Sequence, residues 1–244
     1  MIELQKLTKD YGITIAVNNL NLNVAAGEIY GFIGPNGAGK TTTIRMMGGI
    51  LAPTAGKIII DGLDMSKNPV AAKKMIGFVP DRPFLYEKLT GMEFLHFSAD
   101  LYNVNPDTLP QKAEQLLRQF ALWEWANEII EAYSHGMKQR LIIASALLHD
   151  PRILIIDEPM VGLDPAAVHM VKDIFQELAR KQITIFISTH TLSIAEELCH
   201  RIGVIHKGTL LAQGTVGELQ QVAKLGEARL EEVFLTLVKE DTFL

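Results

Sequence analysis

Three short clusters in this chain of 244 residues have side chains and spacing suited to phosphate chemistry. Gly34-Pro35-Asn36-Gly37-Ala38-Gly39-Lys40-Thr41 fits G-x-x-x-x-G-K-[ST] at every fixed position. Glycines let such a loop curl until its N–H groups face inward, and a helix starting after Gly39 adds its positive end. Lys40 is placed to reach β- and γ-phosphates, and the Thr41 hydroxyl to ligate Mg2+. Alone, the loop specifies a nucleoside triphosphate and no more. The plain alternative is a flexible glycine turn with a surface lysine.

The second cluster closes the apolar run Ile153-Leu154-Ile155-Ile156 with Asp157-Glu158. At the carboxyl edge of a parallel sheet such an end opens on the ligand crevice. Asp157 is assigned to Mg2+, directly or through water. Neighbouring strand residues point to opposite faces, so Glu158 is expected to do another job, orienting and deprotonating an attacking water. The alternative is a solvated pair of carboxylates at a loop start. The third cluster is Ser134 with Gly136, just before a helical stretch. Bare amides and a hydroxyl at a helix N-terminus make an anion site, while the same residues also describe a simple N-cap. His190 follows the apolar strand Ile183–Ser188, a position where a lone histidine by itself carries no role.

These clusters need a scaffold. Ile2–Leu7 and part of Ile13–Val24 alternate apolar and polar, as strands of a half-exposed antiparallel sheet do. Glu28–Ile33 reads as a buried strand feeding the glycine loop, Thr41–Met47 as a helix, and Lys57–Ile60 and Ile76–Val79 as strands. From Lys88 to His149 the apolar spacing turns helical. After Pro151 the rhythm alternates again: strand Ile153–Ile156, helix Ala166–Lys181, strand Ile183–Ser188, helix Ser193–Cys199, strand Ile202–His206. Leu230–Val238 is a last amphipathic helix. The expected fold is α/β: a P-loop NTPase core with a mostly parallel sheet, an N-terminal antiparallel β subdomain and an inserted helical subdomain. Its expected parts are 1–87 with 151–214 as core, 88–150 as helical subdomain and 215–244 as a short helical tail.

Composition narrows the options. Hydrophobic residues make up 48% and charged residues 21%, which excludes a disordered or fibrous chain. The 23 basic against 28 acidic residues leave no basic footprint for nucleic acid. The single cysteine excludes a disulfide framework and fits a reducing cytosol. No run approaches a membrane span, and the N-terminus lacks the pattern of a signal peptide. A soluble chain is expected, one that reaches a membrane only through another protein.

The glycine loop, Tyr133-Ser134-His135-Gly136-Met137-Lys138-Gln139-Arg140, Asp157-Glu158-Pro159 and Gly162-Leu163-Asp164 together resemble the ATPase subunit of an ABC transporter, in order and spacing, over nearly the whole chain. The signature block discriminates, because many P-loop families share the first motif. The family pattern there is LSGGQ; YSHGM keeps the serine and the second glycine. Similar SHGM forms occur in members serving multidrug, antibiotic and related export-type permeases, which leans toward export.

The resemblance implies ATP and Mg2+ as cofactors, with ATP on the loop from Gly34 through Thr42. It implies a head-to-tail pairing with a second copy or a paralogous ATPase, in which Ser134 and Gly136 meet the γ-phosphate held by the other chain. It makes His190 the switch histidine that contacts the γ-phosphate and steadies Glu158. Tyr11 would stack on adenine, and Asp164 would link the two subunits. A transmembrane permease would dock on the helical subdomain and Phe84-Leu85-Tyr86, keeping the chain peripheral on the inner face of the cell membrane. Two departures stand out. Val161 replaces the usual serine of its loop. Asp81 occupies the place of the usual glutamine, in Val79-Pro80-Asp81-Arg82-Pro83. Glutamine offers Mg2+ a neutral oxygen and water an amide, whereas Asp offers only oxygens and adds charge. Asp81 is thus a candidate metal ligand, with a solvated turn carboxylate as the open alternative. Two other readings compete: a permease-free ABC-type ATPase of translation or DNA repair, and a nucleotide-binding regulator that barely hydrolyses.

Overall fold

The computed structural model describes residues 1–82 and 84–242, the side chains of 240–242 aside. Pro83 and the last two residues of the expected tail lie outside the described residues. The strands form two sheets. In the smaller one, β1 (Ile2–Asp10), β2 (Ile15–Val24), β4 (Ala55–Ile60) and β5 (Leu63–Asp64) pair antiparallel in the order β2-β1-β4-β5. The larger one contains β3 (Ile29–Ile33), β6 (Ile76–Val79), β7 (Ile153–Asp157), β8 (Thr184–Thr189), β9 (Arg201–His206) and β10 (Thr209–Gly214). Their order is β10-β9-β3-β8-β7-β6, parallel except for β10.

Side-chain patterning explains the division. Ile2, Leu4 and Leu7 of β1 are buried with Val17, Leu20, Leu22 and Val24 of β2, while much of the opposite face is exposed. A sheet with one wet face alternates in this way. Every residue of β3, β7 and β8 is buried, because helices and the small sheet cover both faces of the large one. Between the sheets, Phe32 and Tyr30 of β3 lie against Phe186 of β8, with ring centroids 5.4 and 5.6 Å apart.

The helices are α1 (Lys40–Met47), α2 (Pro69–Lys74), α3 (Gly91–Tyr102), α4 (Leu109–Gln119), α5 (His135–Ala146), α6 (Pro165–Arg180), α7 (Leu192–Leu198), α8 (Val216–Val222) and α9 (Leu230–Thr242). Among them α3, α4 and α5 form a block covering the face of the large sheet opposite the small one. A capping box starts α3: Thr90 Oγ1 accepts from Glu93 N, and the Glu93 carboxylate accepts from Thr90 N at 2.8 Å. The Thr90 N–H, and with it the Thr90 hydroxyl, holds the Glu93 carboxyl below its usual range. Arg140 of α5 donates to Phe120 O at 2.6 Å, tying α5 to the end of α4. Buried Leu141, Ile142, Ile143 and Ala144 surround the later turns of α5, so this helix threads the core rather than lying on it.

Several expected bounds shift. The second strand starts at Ile15, and Ile13 is wholly exposed in the preceding turn. The elements β5, α2 and β10 were not expected, while α8 falls within the expected helical tail. Phe84-Leu85-Tyr86 splits: Leu85 enters the core, while Phe84 and Tyr86 stay exposed. Half-buried against the core, the Cys199 thiol is pushed up to about 12, away from the thiolate form. Among the described residues, no helix is long and apolar enough to cross a membrane.

Candidate functional site

Because β3, β8 and β7 are neighbours in the sheet, the segments following their carboxyl ends emerge side by side. They enclose a cleft of about 380 Å³ walled by residues 36–42, Asp81, Asp157, Glu158, Val161, His190 and Ala16. Gly39 has φ 106°, and a Cβ there would lie 2.3 Å from Ala16 O, so the loop admits only glycine at this bend. The bend starts α1 without any side-chain cap, with the helix N-terminus at the cleft. Lys40 is buried, and its Nζ donates to Gly34 O at 2.6 Å and Pro35 O at 3.2 Å. Gly34 and Pro35 therefore position the lysine from behind the wall. Burial lowers the Lys40 pKa, and the charges of Glu158 and Asp157 oppose that shift.

Thr41 Oγ1 donates to Asp157 Oδ2 at 2.9 Å, and Ser188 Oγ donates to Asp157 Oδ1. A hydroxyl and a carboxylate oxygen in contact at the mouth of a phosphate-type loop are hard donors suited to Mg2+, which takes one or two protein oxygens and the rest from phosphate and water. The residues thus fit the ion. Asp81 also walls the cleft but makes no cluster with the other acids: among the described residues no group of three or more His, Cys, Asp or Glu converges on one point.

The sequence argument placed Glu158 and Asp157 on opposite faces of one strand; the structure corrects this. β7 stops at Asp157, and Glu158 adopts φ 54°, in the left-handed region. The chain turns there, and both carboxylates wall the same cleft. Their partners still differ. Glu158 N donates to Ser188 O at 2.9 Å. Glu158 Oε1 accepts from His190 N at 3.0 Å and lies 2.6 Å from His190 Nδ1, while Oε2 accepts from Thr189 Oγ1 at 3.1 Å. The carboxylate neighbour places a ring proton of His190 on Nδ1.

Tyr11 is exposed in the turn between β1 and β2, with the Lys9 ammonium 5.2 Å from its ring centroid; it is not part of the cleft wall. Ala16 on β2 is, and sequence reasoning missed it because an alanine has no functional group to mark it. Ser188 and Thr189 were missed as well. Their signal was two hydroxyl residues in line with the two acids on the neighbouring strand.

Ser134 and Gly136 are not on the wall either. Ser134 caps α5, its Oγ accepting from Met137 N at 3.2 Å. A Cβ on Gly136 would stand 3.1 Å from Gly162 O, and one on Gly162 would stand 2.0 Å from the His135 ring. Asp164 caps α6, accepting from Ala167 N at 2.9 Å. Its charge counters the lowering that burial imposes on the Arg140 guanidinium. The two motifs therefore pack on each other within one chain. A hollow of about 830 Å³ lies between Asp81 and the helices α3 and α5, with Phe84, Tyr86, Phe97 and Lys138 on its walls. Its rings meet edge to face, Phe84–Tyr86 at 5.4 Å and Tyr86–Phe97 at 5.1 Å.

Residues 17–161 match the family described as ABC transporter. The ABC-type transporter ATP-binding protein EcsA of Bacillus subtilis is 33% identical over 99% of this chain and 98% of its own length. The bacitracin transport ATP-binding protein BcrA of Bacillus licheniformis is 42% identical over 87% of this chain and 69% of its own. A solved ATP-binding subunit of an ABC transporter superposes with a TM-score of 0.91 at 33% identity, covering 97% of this chain and 99% of that one. A dimeric ATP-binding cassette in a post-hydrolysis state, bound to ADP and phosphate, superposes at 0.78 with 26% identity, over 88% and 99%.

Proposed function

Because the chain belongs to the ABC transporter family, as an ATP-binding subunit that hydrolyses ATP with Mg2+, we propose that two such chains close head to tail around two ATP molecules and drive export through a separate permease. The observation that carries this reading is the division of the site. The cleft holds the phosphate loop, the lysine and both acids, while the anion-accepting start of α5 lies away from that cleft. A second chain, a copy or a paralogue, supplies it. The solved relative that is dimeric with ADP and phosphate supports this arrangement.

In the closed pair, Lys40 and the amides of residues 36–42 hold the triphosphate, and Tyr11 stacks on adenine from the β1–β2 turn. Thr41 and Asp157, with Asp81 on the same wall, would hold Mg2+, which would supply positive charge against the phosphate oxygens. Glu158 takes the proton of the attacking water while His190 holds its carboxylate. His190, with Nδ1 turned to Glu158, presents Nε2 to the γ-phosphate. Ser134 and Gly136 of the facing chain stabilise the charge spread over the transferring group, and Asp164 sits at the seam beside Arg140. Loss of the γ-phosphate removes what joins the halves, and they part.

The permease seats on the helical block, residues 88–150, in the aromatic hollow. Asp81 is shared by that hollow and the cleft, so seating and nucleotide state bear on one side chain. The export direction is supported by the bacitracin-transport relative and by the YSHGM signature. Attachment through the permease places the chain on the inner face of the cell membrane. Phosphate release by Glu158→Gln tests the chemistry: turnover falls by a factor of at least about 100 while ATP still binds. Near-normal turnover removes Glu158 from its role.

A further inference from the structure

We infer that Thr189 is a positioning residue for hydrolysis: its hydroxyl fixes the plane of the Glu158 carboxylate. The inference rests on Glu158 being the base proposed above. Register carries the argument. β7 and β8 run parallel with Asp157 opposite Ser188, and β8 ends one residue later, at Thr189. Each acid therefore meets the hydroxyl residue beside it. Ser188 donates to Asp157 Oδ1, and Thr189 donates to Glu158 Oε2 at 3.1 Å. Two consecutive hydroxyls thus serve two consecutive carboxylates with different tasks.

The direction of the Thr189 proton is set by a further bond. Thr191 N, at the start of α7, donates to Thr189 Oγ1 at 3.0 Å. With that lone pair occupied, the hydroxyl proton is free to point at Glu158. His190 secures Oε1 through its backbone N–H and its ring. A carboxylate held at one oxygen still turns about its terminal torsion, which is broad and soft. Thr189 holds the second oxygen and removes that freedom. A general base has to stay within hydrogen-bond reach of its water, and small misplacements of a reacting group are costly. Thr189 is buried, and valine replaces its hydroxyl by a methyl of similar shape at the cost of the acceptor for Thr191 N, a loss that Thr189→Ser does not share.

The test compares Thr189→Val, Thr189→Ser and Glu158→Gln with the parent chain. Single-turnover phosphate release is followed with protein in excess, alongside ATP affinity and the fraction of ATP-loaded dimer. Thr189→Val is expected to slow release about tenfold or more, with ATP affinity within about twofold. Thr189→Ser should restore release to within about threefold, and ATP-loaded dimer should build up in the valine form. Thr189→Ala replaces valine if the latter does not purify folded. Unchanged release in Thr189→Val beside a silent Glu158→Gln overturns the inference and leaves the base assignment standing. So does a joint fall in release and affinity without rescue by serine, which marks a structural role. Parent-like release from Glu158→Gln removes the base assignment itself.

Discussion

α1 and α5 both begin where an anion could sit, yet one start is left open and the other is already satisfied. The bend at Gly39 opens α1 with no side-chain cap, beside a buried lysine and two carboxylates. Ser134 closes α5 on itself by taking the Met137 N–H. A helix start of the first kind binds a triphosphate within one chain. The second kind gains only when a phosphate from elsewhere competes with its own cap. In the proposed dimer, loading precedes pairing, and pairing senses the γ-phosphate.

The sharpest way to break this contrast is Lys40→Ala. Loss of the buried cation should weaken ATP binding by a factor of at least about 100, since truncating one partner of a buried charge contact costs roughly 2–5 kcal/mol. Filter binding or fluorescence titration checks it, and a loss under fivefold would show that the α1 amides suffice alone. Ser134→Ala should act at the other end. ATP affinity of the single chain stays within about twofold, turnover at saturating ATP falls about tenfold, and unfolding free energy drops by about 1 kcal/mol for the lost cap. If single-chain affinity falls as far as turnover does, the two helix starts belong to one site after all.

A smaller effect sharpens the comparison from the packing side. Gly162 props the start of α5 at φ 77°, with the His135 ring where a Cβ would go. Gly162→Ala should cost about 1–3 kcal/mol by denaturant unfolding. His135→Gly in the same chain should return part of that loss, and the remainder reports the backbone conformation. Strict additivity of the two changes would show that ring and loop are not in contact.

What the sequence revealed depended on the physics of each element. The buried parallel strands were legible because covering both faces forces continuous apolar runs, as at Ile153–Ile156. The glycine loop was legible because Gly39 accepts a geometry that other residues resist. Antiparallel β10 was not, although Lys207-Gly208, both at positive φ, form the kind of two-residue turn that joins hairpin strands. Its partly exposed side chains show no clean alternation. Strand alternation was correct along β7 and misleading at its end, where φ 54° at Glu158 turns the chain and brings both acids to one cleft. Ala16 and Thr189 were hidden for another reason: an alanine has no functional group to mark it, and Thr189 acts through a single hydroxyl on a neighbour distant in sequence.

The nucleotide-bridged pair is tested most directly by light scattering on Glu158→Gln, which retains the γ-phosphate. With Mg2+ and ATP the particle should have twice the mass of one chain, reverting to one chain with ADP or when Ser134→Arg is added. A single-chain mass at saturating ATP, or a dimer that persists with Ser134→Arg, would contradict a phosphate shared between Lys40 of one protomer and Ser134 of its partner.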